Sequence, residues 1–95
     1  MITELVQYHV FQDKIASLPG LNTGIETFLK TQPGFISRRV LRDHHDPALL
    51  VDIVEWESLA EAEAAAALAQ SQPEMVPFFE AIEKITSFLH LKEAV

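Results

Sequence analysis

At 95 residues, 48% of them hydrophobic, the chain has the size of one domain with a real core. A formal net charge of −7, with only seven Lys and Arg, argues against nucleic acid and against anionic membrane surfaces, both of which need clustered cations. There is no cysteine, which excludes a disulfide, a thiolate zinc site and a cysteine nucleophile.

The N-terminus lacks a basic segment followed by an apolar run, and no stretch approaches membrane-spanning length, so the expected location is the cytoplasm. Ile2 to Phe11 alternates loosely and predicts a strand. Ile2, Glu4, Val6, Tyr8 and Val10 fall on one face; Thr3, Leu5, Gln7, His9 and Phe11 fall on the other. Ser17 to Gln32 predicts a helix, with Ser17 as cap, Pro19 in the first turn and Leu18, Leu21, Ile25, Phe28 and Leu29 at helical spacing. Gly20 and Gly24 weaken its first turns, and Pro33-Gly34 ends it.

Phe35 to Arg42 predicts a second strand, and Asp43 to Pro47 has turn chemistry. Leu49 to Trp56 predicts a third strand, an apolar run interrupted by Asp52 and Glu55. The two form a hairpin, in which Arg38 or Arg39 pairs with Asp52 and accounts for an acid inside an apolar strand. Ser58, with Glu61 three residues on, is a capping box for an alanine-dense helix. Leu59, Ala62, Ala65, Ala66 and Ala69 share its broad face. Small residues there mean either close packing on the sheet or a gap; close packing is the expectation, because interiors rarely keep voids. Between Ser71 and Ile82, Pro73 and Pro77 delay a short helix until about Met75. Lys84 to Leu91 alternates again as a fourth strand, with Ile85, Ser87, Leu89 and Leu91 opposing Lys84, Thr86, Phe88 and His90.

Strand, helix, strand, strand, helix, strand is the ferredoxin-like βαββαβ order of an α+β domain, with a four-stranded antiparallel sheet and both helices on one face. The strands carry large apolar residues on both faces, so a second copy is expected to cover the free one in a two-fold homodimer. Pro33-Gly34-Phe35 leading into a strand, then Val54-Glu55-Trp56-Glu57-Ser58, then an Ala-rich helix, resembles the dimeric α/β barrel proteins of the antibiotic biosynthesis monooxygenase type. That resemblance implies a ligand cleft between helices and sheet. It also implies an activity among cofactor-independent monooxygenases of phenolic or quinol-like substrates, haem-degrading enzymes and proteins of unknown role. The haem-degrading branch pairs an Asn on the first strand with a Trp and a His on the helical segment. Here the first strand offers Gln7, and residues 64 to 80 contain neither Trp nor His, which disfavours haem.

Several residues are candidates for chemistry. His9 and His90 lie on the neighbouring first and last strands and are candidate bases. Gln7 is a candidate orienting donor, Tyr8 and Trp56 are candidate pocket walls, and Arg39, with Arg38 and Arg42, is a candidate anion contact. His44-His45 between Asp43 and Asp46 reads as a solvated turn rather than a metal site, and Glu55 to Glu63 as a solvated helix start. The expected function is a monooxygenase that uses no cofactor and no metal. The rivals are a non-catalytic dimer binding a small apolar or aromatic ligand, and a structural dimer with a collapsed cleft.

Overall fold

The computed structural model describes all 95 residues. Strand β1 (Ile2–Val10) leads through a short 3-10 helix (Gln12–Ser17) into helix α1 (Leu18–Lys30). Strands β2 (Phe35–Arg42) and β3 (Leu49–Trp56) form a hairpin. Helix α2 (Leu59–Ala69), a 3-10 turn (Pro73–Met75) and helix α3 (Val76–Ala81) then feed strand β4 (Ile82–Leu91). The sheet is antiparallel in the order β2-β3-β1-β4, the expected ferredoxin-like arrangement.

Which face meets the helices follows from the register. Tyr8 lies opposite Leu50, Val6 opposite Asp52 and Glu4 opposite Val54, and directly opposed residues share a face. The buried positions are Glu4, Tyr8 and Val10 on β1, and Leu50, Asp52, Val54 and Trp56 on β3. These, with Ile25, Phe28 and Leu29 of α1 and the alanines of α2, make the core. The free face carries Leu5, Val51 and Ile53, part-buried, beside exposed Leu41 and Leu89.

Local details depart from expectation in four places. Ser17 makes no side-chain cap bond, and the 3-10 turn before it brings the chain into α1 instead. Gly24 does more than weaken the helix. A Cβ there would sit 2.9 Å from the backbone oxygen of Glu74, so glycine permits the 73–75 turn to lie against α1. The capping box forms, with the Glu61 N–H donating to Ser58 Oγ at 3.2 Å. However, the Glu61 carboxylate accepts from the Ser58 hydroxyl (2.9 Å) rather than from its backbone. Gly34, at φ 81°, starts β2 tight against that same carboxylate.

The fourth departure matters most. Gln7 pairs with Ser87 but Tyr8 pairs with Ile85, leaving Thr86 as an extra residue in β4. This bulge reverses the alternation, so Ile85 moves to the helix side with Phe88 and His90 instead of opposing them. The Thr86 hydroxyl closes the irregularity by donating to the Gln7 carbonyl at 3.2 Å.

Candidate functional site

Between helices and sheet lies a chamber of about 190 Å3. Its floor is the helix-facing row of β1 and β3: Glu4, Val6, Tyr8, Asp52, Val54 and Trp56. Ala65, Ala66 and Ala69 of α2 form part of its roof. Close packing of the alanine face is therefore correct only at its start, where Ala62 is fully buried. Further along, the methyl groups leave room that larger side chains would fill. Ile85, Phe88 and Phe79 line the chamber and are exposed, so its mouth opens beside the edge strand β4.

A polar network closes one end. The Tyr8 hydroxyl donates to Asp52 Oδ1 at 2.7 Å. Arg38 Nε and Nη2 both donate to Asp52 Oδ2, at 3.0 and 2.9 Å. Arg38 Nη1 donates to Glu26 at 3.1 Å and to Asn22. The Arg38 side chain is only 2% exposed, so its charge relies on these partners. Of the two arginines expected near Asp52, the diagonal neighbour Arg38 is the one that reaches it; Val40 lies directly opposite. Burial and the adjacent Asp52 carboxylate push the Tyr8 phenol far above its ordinary pKa, so it stays a neutral donor.

Beyond this network an outer cleft of about 390 Å3 is lined by Arg38, Arg42, Glu26 and Asn22. Tyr8, Ile25 and Phe78 border both spaces. The Tyr8 and Phe78 rings meet edge to face at 5.5 Å and form part of the partition.

At the other end of the floor, Glu4 is 8% exposed, and its carboxylate meets His90 Nε2 at 2.8 Å. Trp56, 1% exposed, stacks edge-on against Phe35 at 5.8 Å. Its Nε1 is buried without a hydrogen-bond partner.

The structure thus divides the six residues singled out from sequence. Tyr8 and Trp56 line the chamber, and His90 stands behind Glu4 at its edge. Gln7, His9 and Arg39 face the other way, opposite Val51, Leu49 and Ile53 on the free face. His9 and His90 are therefore not brought together, because their positions on β1 and β4 have opposite parity. His9 Nε2 instead meets Asp46 at 3.4 Å, beside the 43–48 turn. There Asp43 accepts from the backbone N–H groups of His45 and Asp46. Glu4 and Asp52 were missed as site residues, whereas Arg38, named with Arg39 and Arg42 as an anion contact, is taken up by Asp52, Glu26 and Asn22. The signal available was two acids, Glu4 and Asp52, on otherwise apolar strand faces.

Sheet order, helix placement and chamber define a ferredoxin-like α+β domain hollow between its layers. Neither a family model nor a curated protein matches the sequence. Solved structures do match the fold. A candidate antibiotic biosynthesis monooxygenase from Bordetella bronchiseptica superposes with a TM-score of 0.85 at 15% identity, over 99% of this chain and 97% of that one. A variant of SnoaB, a cofactor-independent oxygenase from Streptomyces nogalater, gives 0.77 at 20% identity, over 99% and 93%. A conserved protein from Methanosarcina mazei gives 0.73 at 18% identity, over 97% and 91%. The chain has the fold of the antibiotic biosynthesis monooxygenase-type proteins, as its sequence resemblance implies. No helix is long and apolar enough to cross a membrane.

Proposed function

We propose that this chain is a small monooxygenase that acts on a phenolic or quinol-type substrate without a cofactor. The observation that carries the reading is the chamber itself. It is lined mostly by apolar side chains, and its few polar groups are fixed: the Tyr8–Asp52–Arg38 network, the Glu4 carboxylate and the unpartnered Trp56 N–H. Such a site suits a compact aromatic ring bearing oxygen substituents. By volume it suits one or two fused rings, since a cavity of roughly 150 Å3 takes up benzene. A ligand oxygen that reached Trp56 Nε1 would relieve a buried donor whose desolvation costs about 1–3 kcal/mol.

In the reaction, a phenol bound in the chamber loses its proton, and the electron-rich ring carbon reacts with dioxygen. The substrate supplies all the electrons. One oxygen atom becomes a new ring carbonyl and the other leaves as water. The protein contributes binding, orientation and exclusion of bulk water. Tyr8 and Trp56 are the walls, and Asp52, held by Arg38, fixes the Tyr8 ring. The fold shared with SnoaB supports the reaction class.

The free sheet face is proposed to be covered by a second copy. Leu5, Leu41, Val51, Ile53 and Leu89 form a continuous apolar surface, which monomers seldom expose over more than a few hundred Å2. The test of function is oxygen uptake with 1-naphthol and hydroquinones under air, with labelled dioxygen to trace one atom into the quinone. Trp56, the single tryptophan, reports binding by its emission. Saturable quenching with no oxygen uptake above buffer would leave a binding protein and overturn the oxygenase reading.

A further inference from the structure

We propose that Glu4 and His90 are the proton acceptors of the chamber, Glu4 taking the phenolic proton and His90 relaying it to solvent. This rests on the chamber binding a phenol, as proposed above, and adds the groups that ionise it.

Glu4 occupies a core position. It alternates with Val6 and Tyr8 on the buried row of β1, opposite Val54. A valine there would satisfy packing, whereas a carboxylate must be taken out of water at a cost that only good partners offset. Its one side-chain partner is His90, directly across on β4 at 2.8 Å. His90 lies against Phe88 edge to face at 5.4 Å, and its side chain is 21% exposed. The pair therefore runs from the chamber floor, which Glu4 lines, to water outside the edge strand. Only one carboxylate oxygen of Glu4 meets His90; the other is free for a ligand hydroxyl.

The remaining titratable groups near the chamber are committed or face away. Asp52 accepts from Tyr8 and twice from Arg38, and protonating it would strand the buried guanidinium. The phenol of Tyr8 is held neutral. On α2, Glu61 is tied to Ser58 and Glu63 is exposed; on β4, Glu83 and Lys84 are exposed. On α1, Glu26 is held by Arg38 on the outer cleft.

In the step itself the phenol O–H bond breaks and its electron pair stays on the oxygen. The proton passes to the free Glu4 oxygen and leaves through the imidazole. No oxidant takes part, so the step can be observed apart from oxygenation. Glu4, which lines the chamber, is the catalytic residue; His90 acts through it as a positioning residue.

The test is the absorbance of 4-nitrophenol bound to the intact chain, which separates phenol from phenolate. 4-Nitroanisole, which cannot ionise, serves as the control ligand. Unlike Asp52, which Arg38 holds as a carboxylate beside Tyr8, Glu4 faces no buried guanidinium; once it takes the proton it donates a hydrogen bond back to the phenolate, so the midpoint of bound 4-nitrophenol should fall by at least about one pH unit, a tenfold effect. Glu4→Gln should abolish the fall while 4-nitroanisole affinity stays within about threefold. His90→Gln, whose amide N–H can still donate to Glu4 but cannot take up a proton, should reduce the fall and slow phenolate formation. A midpoint equal to that of the free probe would overturn the proposal, as would a fall that survives both substitutions. If Glu4→Gln does not fold, His90→Gln alone decides. A phenolate shift without oxygen uptake would uphold the Glu4–His90 assignment and sink the oxygenase reading. Failure of the wild type to bind either probe would overturn both.

Discussion

Asp52→Ala is the substitution with the most to lose. It removes three hydrogen bonds at once: one from Tyr8 and two from Arg38. What remains is a guanidinium whose side chain is 2% exposed, with only part-buried Glu26 and Asn22 to neutralise or pair it. Removing one partner of a buried pair costs about 3–5 kcal/mol, since the surviving charge cannot regain water. A domain of this size has about 5–14 kcal/mol of total stability, so the loss is a large share of it. At about 4–8 °C per kcal/mol, the melting temperature should fall by at least about 12 °C. Trp56 emission and far-ultraviolet circular dichroism during heating would measure it. The pairing argument makes a second, sharper claim. Arg38→Met combined with Asp52→Leu removes both charges and should recover most of the loss, to within about 2 kcal/mol of wild type. An Asp52→Ala variant that melts within about 4 °C of wild type would refute the reasoning. So would a double variant no better than the single one.

Tyr8 is the only tyrosine, and its folded-state phenol is raised well above its unfolded value near 10. Its contribution is therefore complete below pH 10 and declines as the unfolded state ionises above it; by pH 11 about 1.4 kcal/mol should be lost. Denaturant titrations should show this loss in wild type and not in Tyr8→Phe. The two glycines of α1 should behave oppositely: Gly20→Ala, with open space around its Cβ, should raise stability by about 0.5–1 kcal/mol. Gly24→Ala should lower it, because the new methyl meets the Glu74 backbone at 2.9 Å; thermal melts compare the pair. Ala66→Leu should fill the chamber and weaken naphthol quenching of Trp56 at least about tenfold, with unchanged affinity counting against the chamber as the binding site. Ile53→Asp, on the face proposed to take a second copy, should leave the fold intact and lower the sedimentation coefficient to that of a monomer; an unchanged coefficient would count against that face as the interface.

The order of elements could be read from the chain because each carried its own local signal. Ser58 and Glu61 marked the start of α2, Pro33-Gly34 the end of α1, and the β2–β3 hairpin brought Arg38 to Asp52. Resemblance at short motifs then pointed to the right fold, since those motifs sit at element junctions and junctions set topology. Half of the candidate site was also visible: Tyr8 and Trp56 stood out as aromatics on strands, and His90 as a histidine in an apolar run.

What only the tertiary structure decided is which side of the sheet each residue serves. Strand periodicity pairs residues into faces but does not say which face the helices cover, and both faces here are apolar enough to be the inner one. Placing Tyr8, Asp52 and Trp56 inward puts Gln7, His9 and Arg39 outward. The extra residue at Thr86 has no signature of its own in the sequence, yet it sends Ile85 inward at the chamber mouth. The chamber depends on distances between layers that no single segment determines. Alanines permit a gap or a close approach equally, and the bulky partners around them on α1, α3 and the sheet hold the layers apart.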